Sequence, residues 1–304
     1  MELFAPQYYL SFKCIADRCR HSCCIGWEID VDEKALEKYN SAAEDYAEVV
    51  KESIEQGDAP HFRLCEGDRC PHLRPDGLCQ MILSLGEDYL CDICREHPRF
   101  YNDTVLGREV GLGLVCEEAC RIILESDGYR SMVNLGLTSD EAPETDGYDA
   151  ICHREEIFDI LSNSSIPYGE RLTLISEKYS VSPKDIPDQR WRELLSESEY
   201  IDEGDRELFS AYSSANKTPE SLEKYLERAL AYFIYRHASS AEDDGDLRAS
   251  IGLSLFLERL LCSAVISCGS SDFESVCDIA RRLSEELEYS EENTEAIKFE
   301  FAFG

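Results

Sequence analysis

The chain lacks an uninterrupted apolar stretch long enough to cross a bilayer, and its first residues, MELFAPQYYLSFKC, lack the basic start, apolar middle and small-residue cleavage site of an export leader. Its most apolar stretch, Ile251 to Cys268, is interrupted by Glu258 and Arg259 and reads as a buried helix. These absences lead us to expect a cytoplasmic protein with no membrane partner. Basic side chains are also scarce: 30 against 63 acidic ones leave a formal net charge of −33, a potential that repels a phosphate backbone, so nucleic acid is not an expected partner. Few segments alternate apolar and polar residues as a half-buried strand does, and no repeat of fixed period stands out.

What remains is a chain of 304 residues, 43% hydrophobic, long enough to bury a core without covalent staples. Acidity is concentrated toward the C-terminus, with 25 acidic and 13 basic residues up to Glu125 and 38 and 17 beyond it. Such a surface keeps helices solvated and would also attract a lysine-bearing protein. Helical spacing is plain at Leu222, Tyr225, Leu226, Ala229, Leu230, Phe233 and Ile234, and again at Phe273, Val276, Cys277, Ala280 and Leu283, the latter preceded by Ser271 and Glu274 in capping-box spacing. Residues Asp32 to Ile54 also carry one apolar face, and Glu117 to Leu124 forms another short helix. The predicted fold is mainly α, a loop-rich cysteine-cluster metal-binding N-terminal part followed by a helical C-terminal part. The boundaries are a cysteine-rich domain over 1–137, a linker-like stretch over 138–147 rich in Asp, Glu, Thr and Pro, and an acidic helical domain over 148–304.

Cysteine is the exception to this ordinary composition. Eleven of the 15 cysteines fall in the first 120 residues: Cys14, Cys19, Cys23, Cys24, Cys65, Cys70, Cys79, Cys91, Cys94, Cys116 and Cys120. In a large chain without an export leader, clustered thiols are more often metal ligands than disulfides. Adjacent Cys23 and Cys24 cannot easily pair with each other but can direct two thiolates at one cluster, and the Pro75-Asp76-Gly77 turn would return Cys79 toward Cys70. Soft thiolates suit an iron-sulfur cluster or zinc; the spacing is not that of two short Cys-x-x-Cys pairs, which favours iron-sulfur. Arg18, Arg20, Arg95 and Arg99 could offset thiolate charge or make surface ion pairs, while His72 and His97 could support the ligands or simply pack. Cys152, Cys262, Cys268 and Cys277, isolated in helical context, read as small buried hydrophobes, as Cys65 and Cys120 do when taken singly.

The phrases Phe12-Lys13-Cys14, Cys19-x3-Cys23-Cys24-x-Gly26-Trp27-x-Ile29-Asp30, Cys70-Pro71-x-Leu73, Gly77-Leu78-Cys79, Leu85-Gly86-Glu87, Tyr89-Leu90, Cys94-x3-Pro98-Arg99 and Cys116 together resemble the flagellin lysine-N-methylase family, the FliB type, within a wider class of cysteine-cluster zinc- or iron-chelating proteins. Softer likenesses lie at Tyr232-Phe233-Ile234-Tyr235-Arg236-His237 and Tyr289-Ser290-Glu291-Glu292-Asn293. The resemblance implies methylation of lysine ε-amines on flagellin or another lysine-bearing protein, S-adenosylmethionine as donor and an iron-sulfur cluster of the 4Fe-4S kind, with Cys14, Cys19, Cys23, Cys24, Cys70, Cys79 and Cys94 as the metal set. Cys91 and Cys120 are extra to the pattern. No Gly-rich strand-to-helix turn of Rossmann-like methyltransferases is present, nor a Cys-x3-Cys-x2-Cys. Glu28, Asp30 and Tyr89 are candidates for handling the amine proton by position alone. Two non-enzymatic readings stand beside this one: a zinc- or iron-binding module for metal delivery or partner contact, and a redox adaptor in which Cys91 and Cys94 cycle between thiol and disulfide.

Overall fold

A computed structural model describes residues 1–57, 59–138 and 147–302. Of the described residues, 56% are helical and 11% are in strands, so the fold is mainly α. Contacts divide it into two compact units, one made of Met1–Phe12 with the chain from Phe100 onward, the other of Lys13–Arg99. The stretch expected as a linker, 138–147, lies outside the described residues except at its two ends.

The Lys13–Arg99 unit carries helices α1 (Glu33–Ser41), α2 (Asp45–Glu52), α3 (Gln80–Leu85) and α4 (Asp92–Glu96). The single helix expected over Asp32 to Ile54 is two, because the chain leaves helical geometry at Ala42 and re-enters after Glu44. Asp32 starts α1 by accepting the Ala35 N–H at 2.9 Å, and its other oxygen accepts the Asp92 N–H at 2.7 Å, tying the start of α4 to the start of α1. A short antiparallel pair, β2 (Ile54–Glu55) and β3 (His61–Phe62), closes one side. Ile29, Val31, Ala35, Tyr39, Val50, Ile54, Phe62 and Met81 form the apolar core, and Cys70 and Cys91 are buried in it.

The other unit contains a four-stranded sheet that sequence reading did not anticipate, in the order β4 (Arg99–Thr104), β5 (Gly107–Leu112), β1 (Glu2–Pro6), β6 (Met132–Leu137), with β1 parallel to β5 and antiparallel to β6. Its helices are α5 (Glu117–Glu125), α6 (Ala150–Leu161), α7 (Tyr168–Tyr179), α8 (Asp188–Glu197), α9 (Glu203–Ser210), α10 (Glu220–Ala238), α11 (Asp244–Cys268), α12 (Phe273–Leu283) and α13 (Glu291–Ala302). Asp243 caps α11 by accepting from the Gly245 and Asp246 N–H groups, and Gly269 ends it at φ +69°. Although α11 is long and apolar enough to cross a membrane by composition, 83% of its apolar window is buried inside the protein. Its Glu258 accepts the Tyr168 hydroxyl at 3.0 Å, which is how a carboxyl is tolerated there. The α12 cap differs from expectation: Asp272, not Ser271, accepts the Ser275 N–H, at 3.0 Å. Capping-box spacing alone did not discriminate between neighbouring residues that can both accept.

Candidate functional site

Three separate stretches bring thiols together in the Lys13–Arg99 unit. The Cys70 N–H donates to the Cys24 carbonyl at 2.8 Å and the Gly26 N–H to the Asp68 carbonyl at 3.0 Å, so the Cys23-Cys24 segment runs beside the strand-like chain that ends at Cys70. Gly26 adopts φ +83°, a turn that a side chain would resist. The Pro75-Asp76-Gly77 turn forms as expected, with Gly77 at φ +80° and Arg74 and Leu78 paired across it, and it sets Leu73 opposite Cys79. Cys79 and Cys91 then occupy the N-cap positions of α3 and α4, and one turn of α4 carries Cys94 back beside Cys91.

Cys24, Cys79 and Cys94 are half-buried and pack on the same core as Cys70 and Cys91. Each of the five bears on the ionisation of others. Burial pushes Cys70 up to about 12, with Cys24, Cys79 and Cys91 adding to the effect. Cys79 is raised by burial, and Cys94 by its hydrogen bond to Cys91, by burial and by Cys24 and Cys70. That same bond lowers Cys91. Cys24 is held at about 7, chiefly by the Cys23 thiol, with help from Ser22 and the Arg69 charge against the cost of burial. Thiols so coupled cannot all ionise together unless something cationic joins them.

Of the seven residues expected as ligands, Cys24, Cys70, Cys79 and Cys94 are therefore brought together, and Cys23 reaches the group through Cys24. Cys14 is exposed, and the Cys19 thiol donates to the His21 carbonyl at 3.2 Å. Cys91, extra to the family-like pattern, joins the group. Among the described residues, no three Cys, His, Asp or Glu side chains stand in an arrangement that could hold a metal ion as they are. The donors are of the kind a thiophilic metal takes, but ligation would require the sulfurs to draw closer.

His72 takes neither a ligand position nor an exposed one. Its ring bonds the Tyr46 hydroxyl at 3.0 Å and the Ser53 hydroxyl at 3.1 Å, and burial pushes it down to about 4. His97 is likewise lowered to about 4 by burial. The Tyr39 hydroxyl donates to the Tyr89 carbonyl at 2.8 Å, and burial, then Cys91 and Cys94, raise its pKa. Glu28 and Asp30 are exposed, whereas Tyr89 is half-buried.

A second constellation lies in the other unit, where the two C-terminal phrases singled out in the sequence meet. The chain between α12 and α13 forms a π-helical turn, Ser284–Glu288, the widened geometry that proteins often reserve for functional places. It buries the Glu288 side chain completely against α10. One Glu288 oxygen faces His237 Nε2 at 2.7 Å and Arg236 at 3.6 Å, and the other accepts the Tyr232 hydroxyl at 3.2 Å. Arg236 lies between two rings, 4.9 Å from the centroid of Phe100 and 4.7 Å from that of Tyr289. Burial alone would raise the Glu288 pKa, but the Arg236 charge and the His237 contact outweigh it and hold the carboxyl below its ordinary value. Burial lowers His237. Helical periodicity marked α10 as apolar, and no signal in it distinguished Arg236 and His237 from ordinary surface residues.

Comparison with known proteins gives one line of likeness. Over 127 aligned residues, 39% of this chain, it is 28% identical to a protein named Lysine-N-methylase from Salmonella typhimurium (strain LT2) and to one of the same name from Salmonella choleraesuis. It is 27% identical over the same length to the Flagellar biosynthetic protein FliU of Salmonella muenchen. The match spans 31% of each lysine-N-methylase and 75% of the FliU protein. No protein-family profile matches the chain, and no solved structure does.

Proposed function

We propose that this protein is a lysine N-methyltransferase that modifies flagellin or another lysine-bearing protein in the cytoplasm, takes the methyl group from S-adenosylmethionine and carries a cysteine-bound iron-sulfur cluster. The observation that carries the reaction is the similarity to proteins named Lysine-N-methylase. The convergence of Cys24, Cys70, Cys79, Cys91 and Cys94, with Cys23 alongside, supports the cluster and names the side chains that would hold it. A bound cluster supplies electron-transfer capacity or, equally, a cross-link among three chain segments. The net charge of −33 supports a cationic protein substrate.

Methyl transfer from a sulfonium to an amine is an in-line displacement, so the enzyme must bring a neutral ε-amine against the methyl carbon and remove one proton from nitrogen. Lysine's ordinary pKa of about 10.4 keeps most of it protonated at pH 7, and activity should therefore rise with pH. The test is the intact mass of flagellin after incubation with S-adenosylmethionine and anaerobically purified protein whose metal and visible spectrum have been determined. Gains of one methylene mass per lysine support the proposal. No gain on several flagellins would leave a metal-binding module, and a gain surviving complete metal removal would make the cluster dispensable for chemistry.

A further inference from the structure

Two cysteines that read singly as small core residues come together across a helix pair. Cys120 stands in α5 and is fully buried; Cys277 stands in α12 and is half-buried. The Cys120 thiol lies 3.4 Å from the Cys277 carbonyl oxygen, and the Cys277 thiol bears on its ionisation. Both helices belong to the same compact unit and pack directly on one another. Arg281, one turn beyond Cys277, donates to Glu285 at 2.6 Å through one terminal nitrogen, while its Nε is buried with no hydrogen-bond partner. Its charge bears on Cys120.

We propose that Cys277 and Cys120 form a peroxide-sensitive thiol–disulfide site, in which half-buried Cys277 is oxidised first and buried Cys120 resolves it. In the first step the Cys277 sulfur attacks one oxygen of hydrogen peroxide and the O–O bond breaks, giving Cys277 sulfenic acid and water. In the second the Cys120 sulfur attacks the Cys277 sulfur, the S–O bond breaks, and the departing hydroxide takes the Cys120 proton as a second water. Two thiols lose two electrons and one peroxide gains them. The order follows from access and charge. Burial raises Cys120 well above the ordinary thiol range, so it is a poor first nucleophile toward peroxide, whereas the nearby guanidinium favours the thiolate that forms as it attacks its neighbour. The resulting bond would tie α5 to α12 about two turns ahead of the π-helical turn that holds Glu288. Both cysteines belong to the unit that lacks the Lys13–Arg99 thiols, and the proposal does not depend on the methyltransferase reading.

The experiment treats the full-length, metal-loaded protein with hydrogen peroxide and digests it with a glutamate-specific protease. Cleavage after Glu118 and Glu125 releases Cys120 in a peptide with no other cysteine, and cleavage after Glu274 and Glu285 does the same for Cys277. The expected product is the pair Ala119–Glu125 and Ser275–Glu285, two hydrogens lighter than the separate peptides and parted by dithiothreitol. In Cys120→Ser, Cys277 should instead be trapped as sulfenic acid by dimedone, several-fold more than in the wild type. Cys277→Ser, which alters the less buried position, should give no cross-link at all. Free thiols at both positions after oxidation, equal dimedone trapping in wild type and Cys120→Ser, or a cross-link from either residue to Cys116 instead would overturn the assignment.

Discussion

Replacing Glu288 by Gln keeps the shape of the side chain and deletes the charge that Arg236 and His237 share. Its side chain is wholly inaccessible, and Arg236 is 13% exposed, so the substitution leaves a largely buried guanidinium without its anion. Removing one partner of a buried pair costs about 3–5 kcal/mol. Arg236 keeps its two aromatic faces, each contact contributing roughly 0.5–2 kcal/mol, and the Gln oxygen can still accept a hydrogen bond, which places the loss near the lower end at about 3 kcal/mol. In a unit of this size that corresponds to a fall in melting temperature of roughly 6–12 °C. The pH dependence supplies a second readout. Because the folded pKa of Glu288 lies below its ordinary 4.5, its contribution is present above pH 4.5 and is lost as pH falls through the folded value, so the gap between wild type and Glu288→Gln should narrow in acid. His237, also lowered, makes both proteins less stable as pH drops below 6.5. Thermal melts across that range are the assay. A loss under about 1 kcal/mol at pH 7, or a gap that stays constant down to the acid limit of folding, would refute the view that the pair is held by charge. Replacing Arg236 and Glu288 together by Met should recover most of the loss.

Three further expectations concern other parts of the molecule. Cys91→Ala should lower bound metal as far as Cys94→Ala does, while exposed Cys14 should matter less and Cys262→Ala not at all; metal analysis after anaerobic purification decides this, and full occupancy in both Cys91→Ala and Cys94→Ala would remove them from the ligand set. Gly252→Ala would set a methyl carbon 2.4 Å from the Phe301 ring, so overpacking of about 1–3 kcal/mol should exceed the roughly 1 kcal/mol gained in helix propensity; in a Phe301→Ala background the same change should become neutral or stabilising, as urea titration would show. Association with flagellin should slow several-fold as salt is raised, given the charge of −33, and a salt-independent association rate would count against electrostatic steering.

Much of the helical part was legible because α10 and α12 repeat apolar residues at helical spacing and α11 is a long apolar run that ends at Gly269. The sheet was not. β1 and β5 pair over only two registered positions, Leu3 with Arg108 and Phe4 with Glu109, β1 meets β6 through an irregular register at Leu3 and Phe4, and burial along β1, β5 and β6 does not alternate residue by residue. In the thiol group, the turn between Cys70 and Cys79 could be read from Pro75-Asp76-Gly77, since that chemistry is local. Cys91 could be read beside Cys94, three residues on, but not beside Cys70 and Cys24, because that depends on Asp32 fixing the start of α4, a contact sixty residues apart in the chain. The same limit hid the meeting of Cys120 with Cys277 and of His237 with Glu288.

The pairing of β1 with strands that come about a hundred residues later also fixes an order of events during synthesis. At the usual rate of about 5–20 residues per second, the first strand waits roughly 5–20 s for β5 to be made. All of Lys13–Arg99, with its own core and all five grouped thiols, is made within that wait. If the proposed cluster is the protein's, those thiols are complete and open to metal while the first strand is still unpaired. Metal supply during synthesis, and not only affinity in the finished molecule, would then set how much of the new protein matures.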